Sequence, residues 1–169
     1  FYNSTSNSMV SDTVSVYLRN AASPYEVIDF ARGAADPSGN GSFQFSNAVN
    51  GVDYYIQLEH RNSLETWSSS PQQFSGNILT YDFTTSAAQA FGSNMMQVDA
   101  SPVMFGIYSG DINQDWTIDA SDASDVDNDA YNSVSGYVNT DVTGDNFVDA
   151  GDVSIVDNNS SAGVFAVMP

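Results

Sequence analysis

The residues best suited to chemistry are aspartates, and they come in two runs. In "GDINQDWTIDASD", Gly110 to Asp122, side-chain oxygens fall at positions 1, 3, 5, 9 and 12 counted from Asp111: Asp111, Asn113, Asp115, Asp119 and Asp122. In "TDVTGDNFVDAGD", Thr140 to Asp152, the same positions counted from Asp141 hold Asp141, Thr143, Asp145, Asp149 and Asp152. Carboxylates crowded this way repel one another unless something positive sits among them. The chain has no cysteine, and its one histidine, His60, lies outside both runs. Every candidate donor is therefore oxygen. Calcium is the hard cation that takes six to eight oxygens at flexible angles, and it fits this set.

The spacing is that of an EF-hand-type loop, in which position 7 supplies a backbone carbonyl and position 9 often acts through water. Thr117 and Phe147 occupy position 7. Two calcium ions are thus expected, one per loop. The two runs share Asp at positions 1, 5, 9 and 12, and their flanks also align, "SDVDN" (124–128) with "SIVDN" (154–158). The unit is a duplicated loop plus following segment. Position 8 is apolar in both, Ile118 and Val148, as required if the paired loops share a short β-bridge and face a core. The competing reading is a solvated acidic surface. It leaves unexplained why folding tolerates like charge at this density.

Charge limits the partners. The chain has 169 residues, 21 acids, three arginines (Arg19, Arg32, Arg61), no lysine, and a formal charge of −18. Neutralising nucleic-acid phosphates needs Lys and Arg, so no nucleic-acid partner is expected. Anionic membranes are disfavoured, and no apolar run is long enough to insert into one. The Ser/Asn/Thr/Gly-rich, cysteine-free composition suggests an extracellular protein, secreted or at a cell surface, stapled by something other than disulfides. No leader is visible, so a mature form or an excised fragment is expected.

Residues 111–157 carry twelve aspartates and no base, which sets a boundary near Ser109-Gly110 between regions 1–109 and 110–169. The first region alternates and turns. "TVSVYLR" (13–19) puts Val14, Val16 and Leu18 on one face, the period of a half-buried strand. "YEVIDFA" (25–31), "GSFQFSN" (41–47), "DYYIQLEH" (53–60), "ILTYDFT" (78–84) and "PVMFGIY" (102–108) read as further strands, with "SNMMQV" (93–98) as a seventh. Asn50-Gly51 signals a hairpin between two of them, and "AAQAF" (87–91) suggests a short helical turn. The pattern is mainly β, an antiparallel β-sandwich of about seven strands. The N-terminal "FYNSTSNSMV" reads as a first strand, an arm, or a segment lent to a neighbouring copy.

The tandem loops resemble type I dockerin repeats, which place Asp at position 12 and run from the loop directly into a helix. With "VSVYLRN…SPYEVIDFA" and "YIQLEHRNSLETWS", the chain resembles a module at the C-terminal ends of secreted bacterial proteins: a β-sandwich followed by a dockerin-like calcium segment. The sandwich half is similar to carboxypeptidase-regulatory or Cna-B-like domains through "GSFQF…VNGVDYYIQLEH". The resemblance implies metal binding at the two loops. It departs at position 6, where dockerins carry Gly and this chain carries Trp116 and Asn146. It departs also where dockerins engage cohesins: positions 10 and 11 hold Ala120-Ser121 and Ala150-Gly151, and the helix region holds Asp127-Asn128 and Asp157-Asn158.

Catalytic signals are missing: there is no Gly-x-Ser-x-Gly elbow, P-loop or His-Glu-x-x-His. His60 reads as a surface or packing residue and Glu59 with Glu65 as a chance carboxylate pair. Trp67, Tyr54, Tyr55 and Tyr81 read as packing rather than a sugar platform. "HRNS" (60–63) reads as a hairpin closure, with Arg61 paired to Glu59 or Glu65. The expectation is a non-enzymatic, calcium-stapled structural module that self-associates into a fibre or sheath by strand addition, or that docks a secreted or cell-surface protein. The alternative is an accessory module that binds polysaccharide.

Overall fold

The structure is a computed structural model that describes residues 11–169 and, of the first ten, only the backbone of Tyr2–Asn3 and Ser8–Met9. Those two short strands, β1 and β2, pair antiparallel, Tyr2 opposite Met9. The role of the N-terminal segment as an arm or a lent strand lies outside the described residues. The chain is mainly β with antiparallel sheets and two α-helices. No described helix is long and apolar enough to cross a membrane.

The central sheet is built from β3 (Asp12–Asn20), β4 (Val27–Ala35), β5 (Asp53–His60), β6 (Ser63–Trp67) and β7 (Gln72–Gln73). Its order is β4-β3-β5-β6, with β7 also on β5. Alternation along β3 and β5 gives the sheet two different faces. Val16, Leu18, Tyr54 and Ile56 are buried on one. The other carries the rungs Arg32–Ser15–Glu59 and Phe30–Tyr17–Gln57–Trp67. A hairpin of β8 (Met96–Ala100) and β9 (Val103–Gly106) stands apart, and the 87–91 region forms the expected short turns.

Two expected strands differ. Residues 41–47 form no ladder, and the chain packs there through side chains. The Phe43 ring lies over Gly33 and Gly41, where an added Cβ would come within 3.3 and 2.5 Å of it. Asn47 N–H donates to the Asp29 carboxylate at 2.7 Å in place of a backbone bond. Residues 78–84 are likewise irregular, held by the Tyr81 hydroxyl, which donates to the Gln89 carbonyl at 2.6 Å. Beside the two-residue β7, the strand absent from the sequence reading is β6. It follows β5 so tightly that "LETW" is buried along its whole length and shows no alternation to read.

The second region forms α1 (Ala120–Tyr131) and α2 (Ala150–Ser161), each entered directly from an aspartate-rich loop. Ile112, Ile118, Val126, Val142, Val148, Val156 and Ala166 form its core, and Leu64 from β6 is buried in the same cluster. Position 8 of each loop, Ile118 and Val148, therefore faces a core as expected. The bridges differ from expectation. The two loops do not pair with each other: Thr117 bridges Phe165 behind α2, and Phe147 bridges Ser135 behind α1. Each loop is thus tied to the segment that follows the opposite helix, a crossed arrangement that lets two short units close one core. A fully buried leucine contributes about 2 kcal/mol, so Leu64 fastens the sheet to this unit.

Candidate metal centre

Each loop is shaped by its own aspartates. Asp119 and Asp149, at position 9, are the N-caps of α1 and α2, accepting from Ser121 N–H and Gly151 N–H. Asp122 and Asp152, at position 12, complete the capping boxes by accepting from the N–H of Asp119 and Asp149, both at 2.9 Å. Capping boxes satisfy amide donors that a helix start leaves open, so positions 9 and 12 have a structural role of their own. Positions 1 and 5 lie before the helices and have no part in the caps.

Position 1 is the centre of each loop. Asp111 accepts from the N–H of Asp115 (3.0 Å) and Trp116 (3.2 Å). Asp141 accepts from Gly144 (2.8 Å), Asp145 (3.1 Å) and Asn146 (3.0 Å). Asp122 reaches back across the loop to Ile112 N–H (2.7 Å) and Asn113 N–H (3.2 Å), and Asp152 to Thr143 N–H (2.9 Å). Asp111, Asp122, Asp141 and Asp152 are all 1% exposed or less. None of the four forms an ion pair among the described residues. Burial pushes the Asp111 carboxyl up to about 6, with Asp122 and Asp115 adding to the rise. It pushes Asp141 up as well, with Asp152 adding.

The remaining loop residues sit further out. Asn113 and Asp115 are exposed and bond to each other, Nδ2 to Oδ2 at 2.9 Å. The Thr143 hydroxyl donates to Asp141 Oδ1 at 3.3 Å, and Asp145 accepts from Phe147 N–H at 2.9 Å. The carbonyls of Thr117 and Phe147 accept no hydrogen bond among the described residues. Among those residues, no three acidic or histidine side chains converge as a ready set of metal donors. The loops bring together positions 1 and 12. Positions 3 and 5 stay at the rim, and position 9 turns to its helix. The donor chemistry still suits a hard cation, because buried carboxylates without a positive partner stand beside unengaged carbonyls.

Position 6 needs a left-handed backbone, which glycine adopts freely and other residues adopt at a cost of about 1 kcal/mol or more. Trp116 and Asn146 both adopt it, with φ 74° and 70°. Trp116 is met from outside the loop: its side chain stands beside the buried Glu65 of β6, with which it lines one cavity. Gln114, also left-handed at φ 59°, donates to the carbonyls of Asp111 (2.5 Å) and Ser63 (3.3 Å).

The second loop grips the same hairpin from its other side. Arg61 donates to the carbonyls of Val138 and Asp141, the latter at 2.9 Å. Asn62 Nδ2 donates to the carbonyls of Asn139 and Asp141, both at 3.0 Å. The expected partner of Arg61 is corrected. Its side chain faces Asp12, Nε to Oδ2 at 3.6 Å, and stacks over the Tyr137 ring at 4.4 Å, because the turn points toward the second loop and away from β6. His60 is buried beside Asp12 at 3.2 Å and Ser63 at 3.2 Å, and burial holds its pKa below the ordinary value. Burial alone would raise the Asp12 carboxyl, but hydrogen bonds from Tyr137 and Thr13 bring it below the usual range. Sequence reasoning missed Asp12, Asn62, Leu64 and Tyr137 as fasteners. Only an uninterrupted polar turn followed by an apolar residue, "HRNSL", hinted at them.

Of the aromatic residues weighed as a sugar platform, Trp67 and Tyr54 are buried. No family model, curated protein or solved structure matches this chain.

Proposed function

We propose that this chain is a non-catalytic, extracellular calcium-binding structural module that self-associates. In this reading residues 110–169 are a dockerin-like pair of EF-type loops, fastened to a β-sandwich formed by residues 1–109. One observation carries it: four carboxylates at loop positions 1 and 12 are buried without a cationic partner among the described residues. In the first loop Asp111, Asn113, Asp115, the Thr117 carbonyl, Asp119 and Asp122 would hold the ion. In the second Asp141, Thr143, Asp145, the Phe147 carbonyl, Asp149 and Asp152 would do so. Calcium supplies the positive charge that lets buried carboxylates ionise. The chain's own residues do the rest. The backbone N–H groups of residues 115, 116 and 144–146 orient the position-1 carboxylates, and the capping boxes orient position 12.

Self-association is supported by β4, an outermost strand with Phe30 61% and Val27 45% exposed. Where the 41–47 segment leaves it uncovered among the described residues, such an edge accepts added strands. Calorimetric titration of chelator-treated protein should give two calcium ions per chain, and excess chelator should lower the melting temperature sharply. An unchanged melting curve in chelator removes the staple. Negative-stain images with and without calcium test assembly separately.

A further inference from the structure

Two of the chain's three arginines, Arg19 and Arg32, lie on the second face of the sheet, and Arg61 borders it from the turn after β5. Two adjoining cavities lie there, of about 300 and 190 Å³, sharing Glu59 and Gln114 as walls. Arg19, Glu65, Asp111 and Trp116 complete the larger; Arg32, Arg61 and His60 are among the residues that complete the smaller. We propose that this groove, floored by β3 and β5 and closed at one end by the first aspartate loop, is a binding site for a neutral saccharide.

The chemistry of the walls is that of a polyol site. A sugar ring presents adjacent hydroxyls that donate and accept in nearly one plane, and an apolar C–H face. The groove alternates guanidinium donors (Arg19, Arg32), a carboxylate acceptor (Glu59) and an amide that does both (Gln114). Trp116, 55% exposed at the mouth, offers an aromatic face. Tryptophan combines a large apolar surface with a polar edge, and here the indole stands beside Glu65 in the cavity wall.

The groups are held before any ligand arrives. The Arg19 guanidinium lies over the rings of Tyr17 and Trp67 at 5.6 and 5.4 Å, and its Nε donates to Gln57 Oε1. Gln57 donates in turn to Glu59 Oε1 at 2.7 Å. That chain is fixed by the register of β3 on β5, which sets Tyr17 opposite Gln57 and Ser15 opposite Glu59. Preorganised polar groups bind with less ordering cost. Arg32, opposite Ser15 on β4, is exposed and makes no ion pair or hydrogen bond among the described residues. In a chain with 21 acids, an unengaged arginine at the rim of a groove is a donor left for a ligand. The larger cavity falls at the low end of the range for small-molecule sites, which suits one or two rings of a longer chain.

Charge selects the sugar. A net −18 repels polyanions over the whole surface, so acidic polysaccharides and nucleic acids are disfavoured. Arg19, Arg32 and Arg61 around the groove disfavour a second cation beyond the one assigned to the first loop. A neutral polymer has neither problem. The groove shares Asp111, Gln114 and Trp116 with the first loop, so the sugar site rests on that loop keeping its shape, and calcium stoichiometry is read separately from sugar retention.

Affinity electrophoresis of the full chain tests it, in gels cast with laminarin (a neutral β-glucan), neutral arabinoxylan or polygalacturonate. Migration should slow in at least one neutral gel. Arg32→Ala and Glu59→Gln should each weaken that retention about tenfold, the effect of losing one good hydrogen bond, while melting temperature and calcium stoichiometry stay unchanged. Arg32 has no partner to lose among the described residues, so its variant keeps the test valid if Glu59→Gln misfolds. No retention in either neutral gel, retention only with polygalacturonate, or retention untouched by Arg32→Ala would overturn the proposal.

Discussion

The two aspartate loops share a backbone and differ in what holds it. Both place an aspartate at the centre, both turn left-handed at positions 4 and 6, and both end in a capping box on a helix of twelve residues. The second loop uses residues that favour this path, Gly144 and Asn146. The first uses Gln114 and Trp116, which do not: Gln114 is bonded to Ser63 of β6 and Trp116 stands beside Glu65 of the same strand. The second loop is gripped instead through its own carbonyls, by Arg61 and Asn62. One loop is formed locally and then clasped; the other relies on tertiary contacts to take up the same path.

Removing position 12 breaks the comparison hardest. Asp122 accepts from three backbone N–H groups and Asp152 from two. Each buried donor left open costs about 1–3 kcal/mol. Asp122→Ala and Asp152→Ala should each reduce calcium stoichiometry from two to one and destabilise the protein by about 3 kcal/mol or more, Asp122→Ala by the larger amount. Calorimetric titration and urea unfolding check both. Two ions bound by either variant would remove the loop assignment.

Next in size is pH. The unfolded Asp111 carboxyl titrates near 3.8, whereas the folded one is pushed up to about 6 by burial. The folded state then binds the proton more tightly. In chelator, stability should be greatest below about pH 4 and fall by up to about 3 kcal/mol as pH rises to 6. Asp141 moves the same way. With calcium the slope should reverse, since a cation favours the ionised form. Urea midpoints at pH 4.5 and 7, with and without chelator, read this directly, and a flat chelated profile contradicts the burial of position 1.

The smallest effect is at position 6. Trp116→Asn should change stability by less than about 1 kcal/mol, because relief of backbone strain offsets the lost contact with the Glu65 carboxyl. Asn146→Trp, with no such acceptor described opposite it, should cost about 1–2 kcal/mol. Equal effects in the two loops would mean that the β6 contact does nothing for the first.

Much of the fold was legible. Alternation marked β3 and β5, because a sheet with one buried face imposes a period of two. The repeat marked two equivalent loops. "GSFQFSN" and "ILTYDFT" were misread because β-like composition reports aromatic burial as readily as ladder bonding. Phe43 buries against glycines, and Tyr81 spends its hydroxyl on a carbonyl. β6 escaped notice because a strand buried on both sides has no polar face to alternate with.

The sequence by itself determined the chemistry of the loops, since residue type and spacing alone place oxygens at fixed positions and start each helix with an aspartate. It determined also that cations are scarce. Only the tertiary structure decided where the three arginines go: two to the second face of the sheet, one to the clasp on Asp141. It also decided that Leu64 closes the core of the helical unit and that each loop bridges behind the opposite helix. These are contacts between residues from 12 to about 100 positions apart. No local pattern records such pairings, because they are selected by packing and by hydrogen-bond satisfaction when the whole chain condenses.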